Sequence, residues 1–190
     1  MLRAPALRQP PTLEGAYAAI VVGQVGIIRA LNEQITQLQK VVAEHFGRHP
    51  AADIYLSQPG FGVVLGARTL GEFGDDHTRF TNARARKNYS GQSPITRASG
   101  KKSVVLARYA TNRRLGAALH LQAFAALGAS PGARAYYDTL RARKIGHHAA
   151  LRQLANRLVG ILHGCLKTTT LYNEDTAWAH HRAPAEPVPA

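Results

Sequence analysis

Residues 147–166, HHAALRQLANRLVGILHGCL, decide the fold class. Leu151, Leu154, Leu158, Ile161 and Leu162 recur at steps of three and four, which gathers them on one stripe of an α-helix. Two more amphipathic segments precede it. Asn112 to Leu127 carries Leu115, Leu119, Phe124 and Leu127, and Gly132 to Arg143 carries Tyr136, Tyr137 and Leu140. Ser130-Pro131 is a helix start signal between them, because proline costs nothing in a first turn where its missing N–H has no partner. Three such helices in series imply a C-terminal helical bundle, and the fold class is mainly α.

Upstream, Tyr17 to Phe46 also reads as helix. Val21, Ile28, Leu31, Ile35, Leu38 and Val42 fall on the a and d positions of a heptad that Gln24 and His45 complete. Thirty helical residues span about 45 Å. Gly23 and Gly26 weaken the first half by roughly 1 kcal/mol each. A coiled-coil arm and a long core helix both satisfy this pattern. Gly47 to Pro50 stops the helix. A short helix at Ala51 to Leu56, the turn Gln58-Pro59-Gly60-Phe61-Gly62 and a second helix through Leu70 match a helix-hairpin-helix at about 51–70, or a plain turn between helices. In the former, Gly60 and Gly62 let backbone N–H groups approach a phosphate. Asn82 to Asn88 forms a short basic helix, residues 88–100 are turn-rich, and Lys101 to Ala110 holds a short strand or a helix start. The expected organisation is a disordered lead-in (1–16), the coiled-coil helix (17–46), one domain (47–166) and a mostly disordered tail (167–190).

The chain has 190 residues, with 24 Lys+Arg against 11 Asp+Glu and a formal charge of +13. Apolar residues at 45% suffice for a core, so a wholly disordered chain is excluded. No run of 18 uninterrupted apolar residues occurs, and the opening MLRAPALRQPP lacks an apolar core, which argues against a membrane span or a secretory signal and for a cytoplasmic protein. The single cysteine, Cys165, excludes a disulfide framework. The charge is unevenly spread. From His77 to Tyr137, 61 positions carry no acidic residue but eleven cations: Arg79, Arg84, Arg86, Lys87, Arg97, Lys101, Lys102, Arg108, Arg113, Arg114 and Arg134. Phosphate is the natural counterion for such a stretch, so nucleic acid is the expected partner.

Few residues stand out as chemically reactive. Ser99 precedes Gly100 and lies between Arg97 and Lys101-Lys102, where dense positive charge could hold a scissile phosphate; a simple turn fits the same residues. His147 and His148 are adjacent and diverge on a helix, as do His163 and Cys165. Asp75 and Asp76 read as a solvated loop pair. No metal set and no phosphate-binding GxxxxGK[ST] loop is present.

Three blocks in order, SQPGFGVVLGARTLGEFGD, NYSGQSPITRASGKKSVVLARYATNRRL and SPGARAYYDTLRARKIGHHAALRQLANRLVGILHGCL, resemble the C-terminal half of insertion-sequence transposases of the bridge-RNA-guided, DEDD-plus-serine class. The likeness runs from about Val21 to Trp178. It implies a domain that binds DNA at element ends and target and whose serine attacks a phosphodiester to form a phosphoserine link. The family pattern Tyr-x-Gly-x-x-Pro followed by Ser-Gly is matched by Tyr89, Gly91, Pro94, Ser99 and Gly100, which makes Ser99 the implied nucleophile; Ser90 and Ser93 rank below it. Gln92 departs from the family, which has leucine there. Arg97, Lys101, Lys102 and Arg113 are expected to hold phosphate. Arg84, Arg86 and Lys87 extend the basic track, with Gly60 and Gly62 in the hairpin. The resemblance further implies a structured guide RNA, homo-oligomers formed through the coiled coil, and Mg²⁺ in a RuvC-like half that this sequence lacks. The reading is therefore a truncated transposase with no cofactor of its own; the alternative is a non-catalytic DNA- or RNA-binding remnant.

Overall fold

A computed structural model describes residues 10–181. The chain divides into two compact units, one ending at Val41 and the other beginning at Val42. The fold is mainly α. Helices α1 (Pro11–Gly47), α2 (Ala52–Ser57), α3 (Val63–Phe73) and α4 (Ala83–Tyr89) precede a hairpin of strands β1 (Ile95–Ser99) and β2 (Lys102–Leu106). Helices α5 (Arg113–Ala129), α6 (Pro131–Ala142), α7 (His147–Thr168) and α8 (Glu174–Trp178) follow, with short 3-10 turns at His77–Arg79 and Ala179–His181.

Helix α1 begins at Pro11, so residues 11–16 are helical where a disordered lead-in was expected; residues 1–9 of that lead-in lie outside the described residues. Its heptad positions are all exposed, from Val42 at 37% to Leu38 at 63%, so the helix buries no stripe against its own unit. The expectation that nothing here resembles a membrane span also needs correction. By length and composition α1 qualifies, because a span tolerates isolated polar residues such as Gln24 and does not require an unbroken apolar run.

The core of the second unit is built around α7. Leu151, Leu154, Ala155, Leu158, Val159 and Leu162 are each at most 1% exposed. Helices α2, α4, α5 and α6 all pack on α7. Side-chain caps mark where helices begin, and each satisfies a backbone N–H of a first turn. Asn82 Oδ1 accepts from Ala85 N at 2.9 Å, Asn112 Oδ1 from Leu115 N at 3.2 Å, Ser130 Oγ from Ala133 N at 3.0 Å and Asn173 Oδ1 from Thr176 N at 2.9 Å.

Residues after Leu166 are ordered further than expected: Trp178 is 1% exposed and completes the core. The indole lies over Gly132, where a Cβ would stand 2.2 Å from Trp178 Cγ, so only glycine admits it. Trp178 Nε1 donates to Tyr172 Oη at 2.9 Å, and Tyr172 Oη donates to Glu174 Oε2 at 2.6 Å. Glu174 Oε1 accepts from Ser130 Oγ at 2.9 Å and from Gly132 N at 2.7 Å, placing a carboxylate at the positive end of α6. Burial and the Glu174 hydrogen bond push the Tyr172 phenol up to about 12, so it remains a donor. The Arg157 guanidinium sits 5.0 Å from the indole centroid. Residues 182–190 of the expected tail lie outside the described residues. Trp178→Ala empties a buried site and should cost about 3–5 kcal/mol, read as a lower urea midpoint with an unchanged slope.

Candidate nucleic-acid interface

Strands β1 and β2 pair antiparallel, with Ser99 opposite Lys102 and Arg97 opposite Val104. The loop is Gly100-Lys101, and Gly100 has φ +55. A positive φ at the first loop residue, with none at Lys101, is what a type II′ hairpin turn requires. Side chains alternate across the sheet, so Arg97, Ser99 and Lys102 share one face. Both strands are exposed except at Ile95, which is half-buried, and Val104 and Val105 are 52% and 65% exposed. No described residue hydrogen-bonds the Ser99 hydroxyl, so no general base stands against it. Ser90 is buried and donates to Lys87 O at 2.9 Å, a structural role. Ser93, at the edge of a small cavity beside the hairpin, is half-buried. Tyr89 is also structural: its hydroxyl donates to Glu72 O at 3.2 Å while its ring packs on Phe73 and Phe80.

The structure divides the eleven cations of the acid-free stretch into two sets. Arg114 pairs with Glu72 at 2.8 Å and Arg134 with Asp138 at 3.0 Å. Arg79 donates to Phe73 O at 2.9 Å, and Arg108 donates to Asn88 Oδ1 at 3.3 Å. Arg86, expected on the basic track, is not on the open surface: it is 3% exposed, with its guanidinium over Phe73 and Phe80. Lys87 is half-buried against Gly160, and burial, aided by Arg157, holds its ammonium below the usual range. Arg84, Arg97, Lys101, Lys102 and Arg113 remain exposed, with no ion pair to a described carboxylate.

The two glycines of the turn after α2 separate as well. Gly60 has φ +82 and packs on α5, where a Cβ would lie 2.3 Å from Gln122 O and 2.7 Å from Ala126 N. Its freedom serves the packing of this turn on α5. Gly62 is exposed at the start of α3, with open space around it.

One cluster was missed by sequence reading. His120 of α5 stacks on His148 of α7, with ring centroids 5.6 Å apart. Arg108, Arg113 and Arg152 join them around a cavity of about 350 Å³ beside the hairpin. The pair is 28 positions apart in sequence, so no local spacing could reveal it; attention to the His147-His148 doublet alone hid it. Burial, with His148, His147 and Arg152 nearby, lowers the His120 pKa from its ordinary 6.5.

The resemblance implies Mg²⁺ in the RuvC-like half of the family, not at residues of this chain. Among the described residues no three His, Cys, Asp or Glu side chains gather to hold a metal.

With this geometry in hand, relatives become informative. Residues 52–138, from α2 into α6, match a family described as Transposase IS116/IS110/IS902 family, and the match includes the hairpin. The chain is 46% identical over 172 residues to the mini-circle putative transposase for IS117 of Streptomyces coelicolor, covering 90% of this chain and 42% of that protein. It is 35% identical over 164 residues to the insertion element IS900 uncharacterized 42 kDa protein of Mycobacterium paratuberculosis, covering 85% and 41%. The insertion element IS110 uncharacterized 43.6 kDa protein of Streptomyces coelicolor is 33% identical over 161 residues, covering 83% and 39%. The chain thus spans about two fifths of the length of the curated relatives it matches.

The histidines set a pH dependence of folding. The pKa values of His120 and His163 are lowered in the fold, so below 6.5 the unfolded chain binds protons that the folded one refuses. Stability is then full above that value and declines as pH falls through it toward the lowered folded values. Urea midpoints taken at about pH 7.5 and about pH 5.5 should show this fall, and His120→Gln should make it shallower.

Proposed function

We propose that this chain is the serine-bearing part of an insertion-element transposase of the family matched by residues 52–138. In this reading it binds DNA and attacks a phosphodiester through Ser99. The observation that carries it is the hairpin tip: Ser99 is exposed beside Gly100, opposite Lys102 and on the same face as Arg97, with no carboxylate opposing an incoming phosphate. The similarity to proteins named as transposases supports the same reading.

The chemistry follows from these groups. Arg97 and Lys102 hold the non-bridging oxygens of the scissile phosphate and stabilise the charge that accumulates on them in the transition state. Ser99 Oγ forms a bond to phosphorus as the bond from phosphorus to a deoxyribose oxygen breaks. The serine proton leaves to solvent, and the departing oxygen takes one up to become a strand-end hydroxyl. No oxidation occurs, and the phosphoserine link preserves a phosphodiester for rejoining. Gly100 keeps the tip free of a side chain where the strand approaches. Lys101 and Arg113 extend the positive track along the hairpin and the start of α5, with Arg84 on α4 and the open Gly62 turn as further contacts. The missing base at Ser99 means that proton removal falls to water, to the substrate or to another protein segment.

The family likeness extends the proposal to partners. A structured guide RNA joins element and target DNA, Mg²⁺ chemistry resides in another part of the full-length transposase, and α1 pairs with a second copy. The exposed heptad stripe of Val21, Ile28, Leu31, Ile35, Leu38 and Val42 supports that pairing. The missing base at Ser99 favours one alternative, a DNA- or RNA-binding remnant without strand attack.

Incubation with nicked element-end DNA and guide RNA, resolved on denaturing gels, decides between the two. A covalent adduct that Ser99→Ala abolishes, while DNA affinity stays within about twofold, supports attack. Binding without any adduct supports the remnant. Arg97→Ala and Lys102→Ala should each lower the salt dependence of duplex binding, by about 0.9 in the log–log slope per lost phosphate contact. Ile28→Lys with Ile35→Lys should turn an oligomer into a monomer in analytical ultracentrifugation.

A further inference from the structure

Arg86 is a buried cation without a countercharge. It is 3% exposed, and its Nε and Nη1 have no hydrogen-bond partner. The Phe73 and Phe80 rings lie 4.9 Å and 4.7 Å from the guanidinium, an attraction that offsets only part of the cost of desolvating a full charge. Tyr55 hydrogen-bonds Arg86, but burial pushes its phenol up to about 12, so it stays neutral and supplies no countercharge. None of the ion pairs among the described residues includes Arg86.

The same side chain lines a cavity of about 390 Å³, together with Thr81, His163, Lys167 and Thr169. A second orphan lies there: His163 Nδ1 is buried and also lacks a partner. The charged groups that act on His163 are all cationic, namely Arg86 and Lys87 from α4 and Lys167 from its own helix. Asp76 accepts from Thr78 N and Oγ1 at 2.8 Å and 2.7 Å and is not among the residues that line the cavity. Three cationic or protonatable side chains therefore converge, two of them with unused buried nitrogens, and no carboxylate is among the residues that line the cavity.

We propose that this cavity is a binding site for a phosphate group, held by Arg86, His163 and Lys167, with the Thr81 and Thr169 hydroxyls at its edge. Guanidinium, imidazole N–H and ammonium donors match the several oxygens of a tetrahedral oxyanion, and its charge supplies what the buried arginine lacks. The site lies between α4 and α7, apart from the Ser99 hairpin in sequence, and it does not depend on the serine chemistry proposed above. The phosphate is either the free ion or one borne by a nucleic-acid strand.

The test uses the full chain and inorganic phosphate, against chloride at matched ionic strength. Calorimetric titration should show saturable binding, and the His163 ring resonances should move with the same midpoint. His163→Gln with Lys167→Ala should weaken binding by about tenfold or more while the protein remains folded by circular dichroism. These two residues are preferred to Arg86→Gln, which removes a packed core element. Failure of phosphate to bind beyond chloride, or equal affinity in the double variant, overturns the proposal. A 5′-phosphorylated oligonucleotide distinguishes the source. If it moves the His163 resonances and free phosphate competes, the site takes a strand phosphate; if only inorganic phosphate moves them, the site takes the free ion. Loss of Ser99-dependent adducts would leave either result intact.

Discussion

Helix α7 is the constraint on which the second unit depends. Its stripe from Leu151 to Leu162 is removed from water along nearly its whole length, and four other helices must reach it at once. Each of these leucines contributes roughly 1.5–3 kcal/mol when fully buried, so no partner helix can withdraw without exposing several of them. Small residues permit the close approach. Ala150 and Ala155 are fully buried on α7, and Gly160 lies against the aliphatic end of Lys87. The positions of α4, and through it of the chain leading into the hairpin, follow from that fit.

Helical periodicity made most of this architecture legible. The leucine spacing of α7, the caps Asn82, Asn112 and Ser130, and the stop at Gly47 are local signals, and the helices they mark are present. What stayed hidden depends on residues far apart in sequence. Trp178 belongs to the core because Gly132, 46 positions earlier, leaves space for its ring. The alanine- and proline-rich stretch lies beyond Trp178, and placing residues 167–178 in the same tail concealed that long-range contact. The strand pair was half legible: SVVLARYA suggested a strand, but its partner, ITRAS, contains an arginine and an alanine and has little strand character of its own.

Charge was the least legible property. An acid-free run of 61 residues suggests a continuous basic surface, yet folding uses some of those cations internally. Glu72, outside the run, folds back to hold Arg114 and accepts from Asn112 Nδ2 at 2.5 Å, so one carboxylate both neutralises a cation and supports the cap of α5. Arg86 takes its place among aromatic rings. Only tertiary structure distinguishes an arginine packed among rings from one standing in open solvent. The five cations near the hairpin and the α4 and α5 starts that are both exposed and without an ion pair to a described carboxylate are the remainder.

The hydrogen bond from Tyr172 N to Ser57 Oγ, 2.9 Å long, joins residues 115 positions apart. Together with the contact of Trp178 on Gly132, it bears on the order in which a ribosome-bound chain can acquire its structure. Helices α2 to α7 emerge first, but their shared core stays open on one side until the segment carrying Tyr172 and Trp178 has cleared the exit tunnel. The incomplete bundle meanwhile presents apolar surface to water or to chaperones. Synthesis past Trp178 is thus the step that commits this unit to its native state.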